Sequence, residues 1–220
     1  KSYTSLEAAV IDADSGDTIT LGEGNYTLHN KLKDNQKPKG KDLTFVGQGS
    51  DKTTWYIGAE VPDPDLLGTE YNGDYSFDGA GTVTFKNMTL RSGNVDYLGF
   101  IRIDNTVVEN CVINGKSNVE GKQNRAIAIK DEYVDSPQSV TLKMMSFTIS
   151  SDKYAAVYVG SKGGANITYE APYNITDVKT GEMVAIDDSY AATSGPVYVN
   201  NVLINPEAPK QTVTVTTAAE

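Results

Sequence analysis

The densest collection of side chains able to do chemistry runs from Gly58 to Asp78. Glu60, Asp63, Asp65, Glu70, Asp74 and Asp78 supply carboxylates, Tyr71 and Tyr75 lie among them, and Trp55 and Tyr56 stand just before the segment. Hard carboxylate oxygens are the ligands Ca²⁺ selects, which makes Asp63, Asp65, Asp74 and Asp78 the expected metal set. Exposed aromatic faces stack on sugar rings, so Trp55, Tyr56, Tyr71 and Tyr75 are the expected ligand-binding residues. That Ca²⁺ or glycan site is the alternative to the leading reading, a solvated acidic loop with no cofactor, because Asp-x-Asp is common in turns and this register does not match the EF-hand loop. In that case Trp55 packs the loop onto the body of the protein.

Other reactive groups are sparse. Cys111 is the single cysteine and His29 the single histidine. One cysteine excludes an intrachain disulfide and a zinc site built on thiolates. One histidine excludes a two-His metal site and most Ser-His-Asp arrangements. Ser161-Lys-Gly-Gly164 reads as a turn, since no strand, Gly-rich loop and helix follow one another there. Asn-x-Thr triplets begin at Asn25, Asn87, Asn166 and Asn174, as chance provides in a Thr-rich chain.

The 220 residues carry 29 acidic and 19 basic side chains, a formal charge of −10. That balance argues against a non-specific nucleic-acid binder, which needs clustered Lys and Arg. Hydrophobic residues make up 39% and are spread along the chain, enough for one ordinary core and against overall disorder. No apolar run approaches the ~18 residues of a membrane span. The chain starts at Lys1 without Met or an apolar leader, and reads as a mature or excised region.

The elements that must position these groups are mostly strands. Thr4-Ser-Leu-Glu7 has the form of a capping box, and Leu6, Ala9, Val10 and Ala13 follow at helical spacing, which predicts a short amphipathic helix over residues 4–13. Thr18-Ile-Thr-Leu21 then begins a strand. Beyond it, β-branched runs alternate with Gly, Asn, Asp and Ser turns.

Two sets of segments recur. One starts at Val83, Val107, Val140 and Val197, with Asn87, Asn110 and Asn201 at a shared place and Met144 in the same slot. The other aligns Ile101, Ile127, Val157 and Val184, spaced 26, 30 and 27 residues apart. Short strands with alternating apolar residues cannot bury a face alone. Stacked one repeat above the next they form parallel sheets at ~4.8 Å spacing, with like side chains in columns. Asn tolerates the left-handed region at a bend, and its amide can bond to the Asn above. Cys111 shares a slot with Met88, Met145 and Val202, the place of a small core hydrophobe.

The run Ser5–Leu28, with its helix followed by Gly16-Asp-Thr-Ile19, resembles the N-terminal cap and first coil of right-handed parallel β-helix proteins of the pectate-lyase-like superfamily. Phe45-Val-Gly47, Val83–Leu90 and Val107–Ile113 are similar to later coils. The resemblance covers residues 4–118 and implies an all-β fold: one single-stranded right-handed parallel β-helix, a solenoid of about seven coils over residues 1–210. The capping helix lies at 4–13 and an inserted loop at 58–78. Residues 211–220 form a terminal strand or a linker.

Lyases of that superfamily hold Ca²⁺ on acidic residues beside an acidic sugar, with Arg or Lys taking the proton. Here the corresponding outer face carries Phe100, Arg102 and Asp104, then Ala126, Ala128 and Lys130, without a carboxylate cluster beside Arg102. The expected function is therefore non-enzymatic: an extracellular or cell-surface module of a bacterial protein, an adhesin-like, glycan-binding or spacer element. Its expected partners are a host or dietary polysaccharide or another surface protein. A calcium-dependent polysaccharide lyase and a phage tail-fibre segment are the alternatives.

Overall fold

The computed structural model describes residues 1–29, 31–57, 75–92, 97–99, 103–115, 125–131, 138–143, 147–151, 157–161, 163–170, 173–176, 184–186 and 195–204. Its one α-helix, α1, spans Leu6–Asp12. Ser5, not Thr4, caps it: its backbone is extended and its Oγ accepts from the Ala8 amide at 3.1 Å. Val10 and Ala13 join Leu21, Leu28 and Leu43 in the core and Ala9 is buried as well, so the helix covers one end of it. Among the described residues a single 3₁₀ turn, Asp34–Gln36, interrupts the β character that follows α1.

The strands, numbered along the chain, form three sheets. The first holds β1 (Thr18–Thr20), β3 (Leu43–Val46), β5 (Thr82–Lys86), β8 (Asn105–Glu109), β11 (Gln138–Lys143), β14 (Ala165–Tyr169), β17 (Val197–Val199) and β18 (Val202–Leu203), in that spatial order. The second runs β2 (Gly24–Tyr26), β4 (Thr53–Ile57), β6 (Thr89–Ser92), β9 (Val112–Gly115), β12 (Phe147–Ser151) and β15 (Tyr173–Thr176). The third runs β7 (Tyr97–Gly99), β10 (Arg125–Asp131), β13 (Val157–Ser161) and β16 (Val184–Ile186). Successive strands visit the sheets in turn, and each strand pairs with its counterpart one repeat later. Among the described residues every pairing is parallel except β17 with β18. The first sheet therefore has seven parallel strands, one per layer.

The columns expected from the sequence are present where they are described. Ile127 stands opposite Val157 and Val157 opposite Val184, while Ile129, Val159 and Ile186 align beside them. On the first sheet Phe45, Phe85 and Val108 stack in register, all with no exposed surface. On the second, Trp55, Leu90 and Ile113 do the same.

The start of the third sheet differs from expectation. Gly99, not Arg102, stands opposite Ala128, and Arg125 opposite Tyr97, with an irregularity between them. β10 takes up one extra residue between these pairs, and at Ala128 the pairing lies three residues from the expected one, because an alignment fixed on apolar residues does not set the register. Ile101 and Arg102 lie outside the described residues.

The asparagine ladder holds at two of its members. Asn87 and Asn110 have φ of 53° and 51°, and Asn110 Nδ2 donates to Asn87 Oδ1 at 2.7 Å. Asn201 does not continue it. With Asn200 it forms the two-residue turn between β17 and β18, both residues at positive φ (47° and 66°), the geometry that reverses a chain into a hairpin. Among the described residues no helix is long and apolar enough to cross a membrane.

Candidate functional site

The expected aromatic residues part company in the structure. β4 reads Thr-Thr-Trp-Tyr-Ile, and period two sends Trp55 inward and Tyr56 outward. Trp55 has no exposed surface. Its ring lies 4.9 Å from Phe45 and 5.3 Å from Phe85, both edge-on, and 6.1 Å from Phe77. No sugar ring reaches it, and its expected place on a binding surface is replaced by the centre of the core.

Tyr56 faces outward from the second sheet but is only 7% exposed. The Arg91 guanidinium carbon, its register partner's, sits 5.8 Å from its ring centre. Tyr75 is open to solvent, 42% exposed.

The end of the 58–78 segment is anchored. Ser76 Oγ donates to the Leu28 carbonyl at 2.8 Å, and Phe77 is buried among Phe45, Trp55 and Phe85. Asp78 is half-buried with Lys37 Nζ 3.9 Å away, and Lys37 also reaches Asp34 at 3.0 Å. A lysine thus occupies the neighbourhood of the one described carboxylate of the expected calcium set. Asp63, Asp65, Tyr71 and Asp74 lie outside the described residues. Among the described residues no three His, Cys, Asp or Glu side chains group closely enough to hold a metal.

Cys111 follows Asn110 into the core, 1% exposed, opposite Met88 in the stack. Its thiol faces the Glu109 and Phe85 carbonyls at 3.3 and 3.5 Å. Burial pushes its pKa up to about 12, so the nucleophilic thiolate is essentially unpopulated at neutral pH. The native protein is therefore expected to resist a thiol reagent such as DTNB, and to release one equivalent per chain once unfolded in urea. Rapid labelling of the native state would contradict the core role.

One open feature of the described residues is a groove the sequence did not point to. It measures about 680 Å³ and lies between the extended arm Lys1–Ser5, helix α1 and strand β1. Its wall carries Tyr3 and Asp12 from the arm and helix, and Asp17, Thr18, Ile19, Thr20, Leu21, Gly22 and Tyr26 from the first layer. Asp12 Oδ2 accepts from both the Lys1 ammonium and the Tyr3 hydroxyl, which ties the arm to the helix. Those two hydrogen bonds, Lys1 first, hold the Asp12 carboxyl below its ordinary pKa. Nothing in the arm has a pattern that marks it in the sequence. The groove exists only because the helix folds back over the first layer.

No protein-family model, curated protein or solved structure matches this chain.

Proposed function

We propose that the chain is an extracellular module of a bacterial surface protein, wound as a single right-handed parallel β-helix and used as a rigid spacer with a glycan-contacting side. Parallel crossovers in one sheet are almost invariably right-handed, which supports the winding. The helix and Gly16-Asp-Thr-Ile19 motif of the pectate-lyase-like superfamily supports it too.

The observation that carries the functional reading is the outer face of the first sheet. Thr18, Thr44, Thr84, Val107, Thr141 and Thr168 stand in one register column, at the ~4.8 Å interval of parallel strands. Beside them Thr82, Asn105, Ser139 and Asn166 form a second polar column. These columns, polar at every position but Val107, suit the repeated hydroxyls of a polysaccharide, and Tyr75 is a separate exposed ring able to stack.

A glycan array probed with the whole chain is expected to return polysaccharide hits weakened about tenfold by Thr84→Lys or Tyr75→Ala, the loss of a stacking or hydrogen-bonding contact. An empty array removes the glycan role. The spacer role is tested separately, by antibody access to this module on intact cells.

A further inference from the structure

Among the described residues strand β1 ends the first sheet: it pairs with β3 on one side and with no strand on the other. Thr44 N donates to Asp17 O at 3.0 Å, and Leu21 N donates to Val46 O at 2.9 Å. A parallel ladder uses alternate residues of each strand, so residues 17, 19 and 21 serve β3. Thr18 and Thr20 then direct their N–H and C=O groups away from it.

That free edge is where the groove lies. Side chains of a strand alternate between faces, so a groove over one face touches every second residue. This one is lined by Thr18, Ile19, Thr20, Leu21 and Gly22 in succession. It therefore follows the edge of the backbone, with the arm as its opposite wall. Five residues of strand extend ~16 Å, and the groove volume falls within the range of ~300–1,000 Å³ that binding clefts occupy.

We propose that this groove binds an extended basic peptide segment of a partner protein, added as a further strand on the edge of β1. The partner's backbone pairs with the N–H and C=O of Thr18 and Thr20, the mode of recognition in which main-chain bonds give affinity and alternate side chains give selectivity. The preference for a basic segment comes from charge. The charged side chains lining the groove are Asp12, Asp17 and Lys1; Lys1 is already paired with Asp12, which leaves the Asp17 carboxylate, in a chain of net charge −10. Lys1 and Tyr3 both donate to Asp12 Oδ2, so Oδ1 retains accepting capacity. This inference stands apart from the glycan-contacting role and uses a different surface.

The test is a titration of the whole chain with a fluorescein-labelled heptapeptide of alternating lysine and valine. A second peptide, N-methylated at every other residue, has the same side chains and lacks the edge-pairing N–H groups. Binding is expected to saturate, and to weaken about tenfold for the methylated peptide. Thr20→Pro removes an edge N–H without touching the β3 ladder, a change that edge strands tolerate, and is expected to weaken binding similarly. Gly22→Trp provides a second variant, because a Cβ at Gly22 meets only the Tyr26 hydroxyl, at 3.5 Å, and a large side chain there fills the groove. Equal affinity for the two peptides overturns the proposal. So does an absence of binding up to about 1 mM, or a groove that takes a neutral oligosaccharide in preference to the peptide.

Discussion

Trp55→Ala is expected to destabilise the protein by about 3–5 kcal/mol, the range for emptying the site of a large buried aromatic. Two terms add. The indole has no exposed surface, so its whole transfer free energy is lost. The space it leaves is walled by Phe45, Phe77 and Phe85, which also pack on one another and resist collapse: Phe45 and Phe85 are stacked 5.7 Å apart, and Phe77 lies 5.6 Å from Phe45.

Domains as a rule hold only about 5–15 kcal/mol, so the variant should show a much lower urea midpoint by far-UV circular dichroism. Trp55→Phe should cost clearly less. It keeps most of the ring, and it removes the indole N–H, which is buried and finds no acceptor among the described residues. A Trp55→Ala variant as stable as the parent, with altered glycan binding, would reverse the assignment of this residue to the core.

Gly164→Ala carries the second large expected effect, about 3 kcal/mol of destabilisation from two sources. Gly164 has φ of +79°, where any L side chain is strained. A Cβ built there also lies 2.1 Å from the Pro196 carbonyl oxygen, a backbone atom that moves only with its strand. That carbonyl accepts from Ala165 N at 3.1 Å, so relief of the overlap pulls β17 from β14. Gly16→Ala isolates the first source. Its φ is +90° and nothing lies within 4 Å of the added carbon. Urea titration of the two variants, with hydrogen exchange read at the Ala165 amide, separates torsion from collision. Equal costs at 16 and 164 would show that the last layers part freely.

The columns and the asparagine corner were legible because they repeat the same residue types at the same offset. Asn87 and Asn110 announce a left-handed bend wherever they fall one repeat apart. The layer containing β14 and β15 was not legible. Ala165-Asn-Ile-Thr-Tyr169 and Tyr173-Asn-Ile-Thr176 put Ala, Tyr and Asn where other layers have Val, and they presented themselves as Asn-x-Thr triplets. A signal was available: 57 residues separate Val140 from Val197, twice the repeat.

Trp55 was ambiguous for a different reason. Trp55, Tyr56 and Ile57 are consecutive apolar residues, so no polar neighbour marks the phase of the strand, and Trp55 read equally as surface or core. Its partner Phe77 sits at the end of an insertion, outside any period. Only packing brings it beside Phe45 and Phe85.

Among the described residues the large aromatics of the core cluster, Phe45, Trp55, Phe77 and Phe85, belong to the early layers, while Val157, Val159, Ile167 and Val197 line the later ones. The sole indole chromophore is thus a local reporter. Its emission witnesses the melting of the N-terminal region and is blind to fraying at the far end, so a fluorescence curve and an amide-backbone curve will superimpose only when the whole stack dissolves as one cooperative unit.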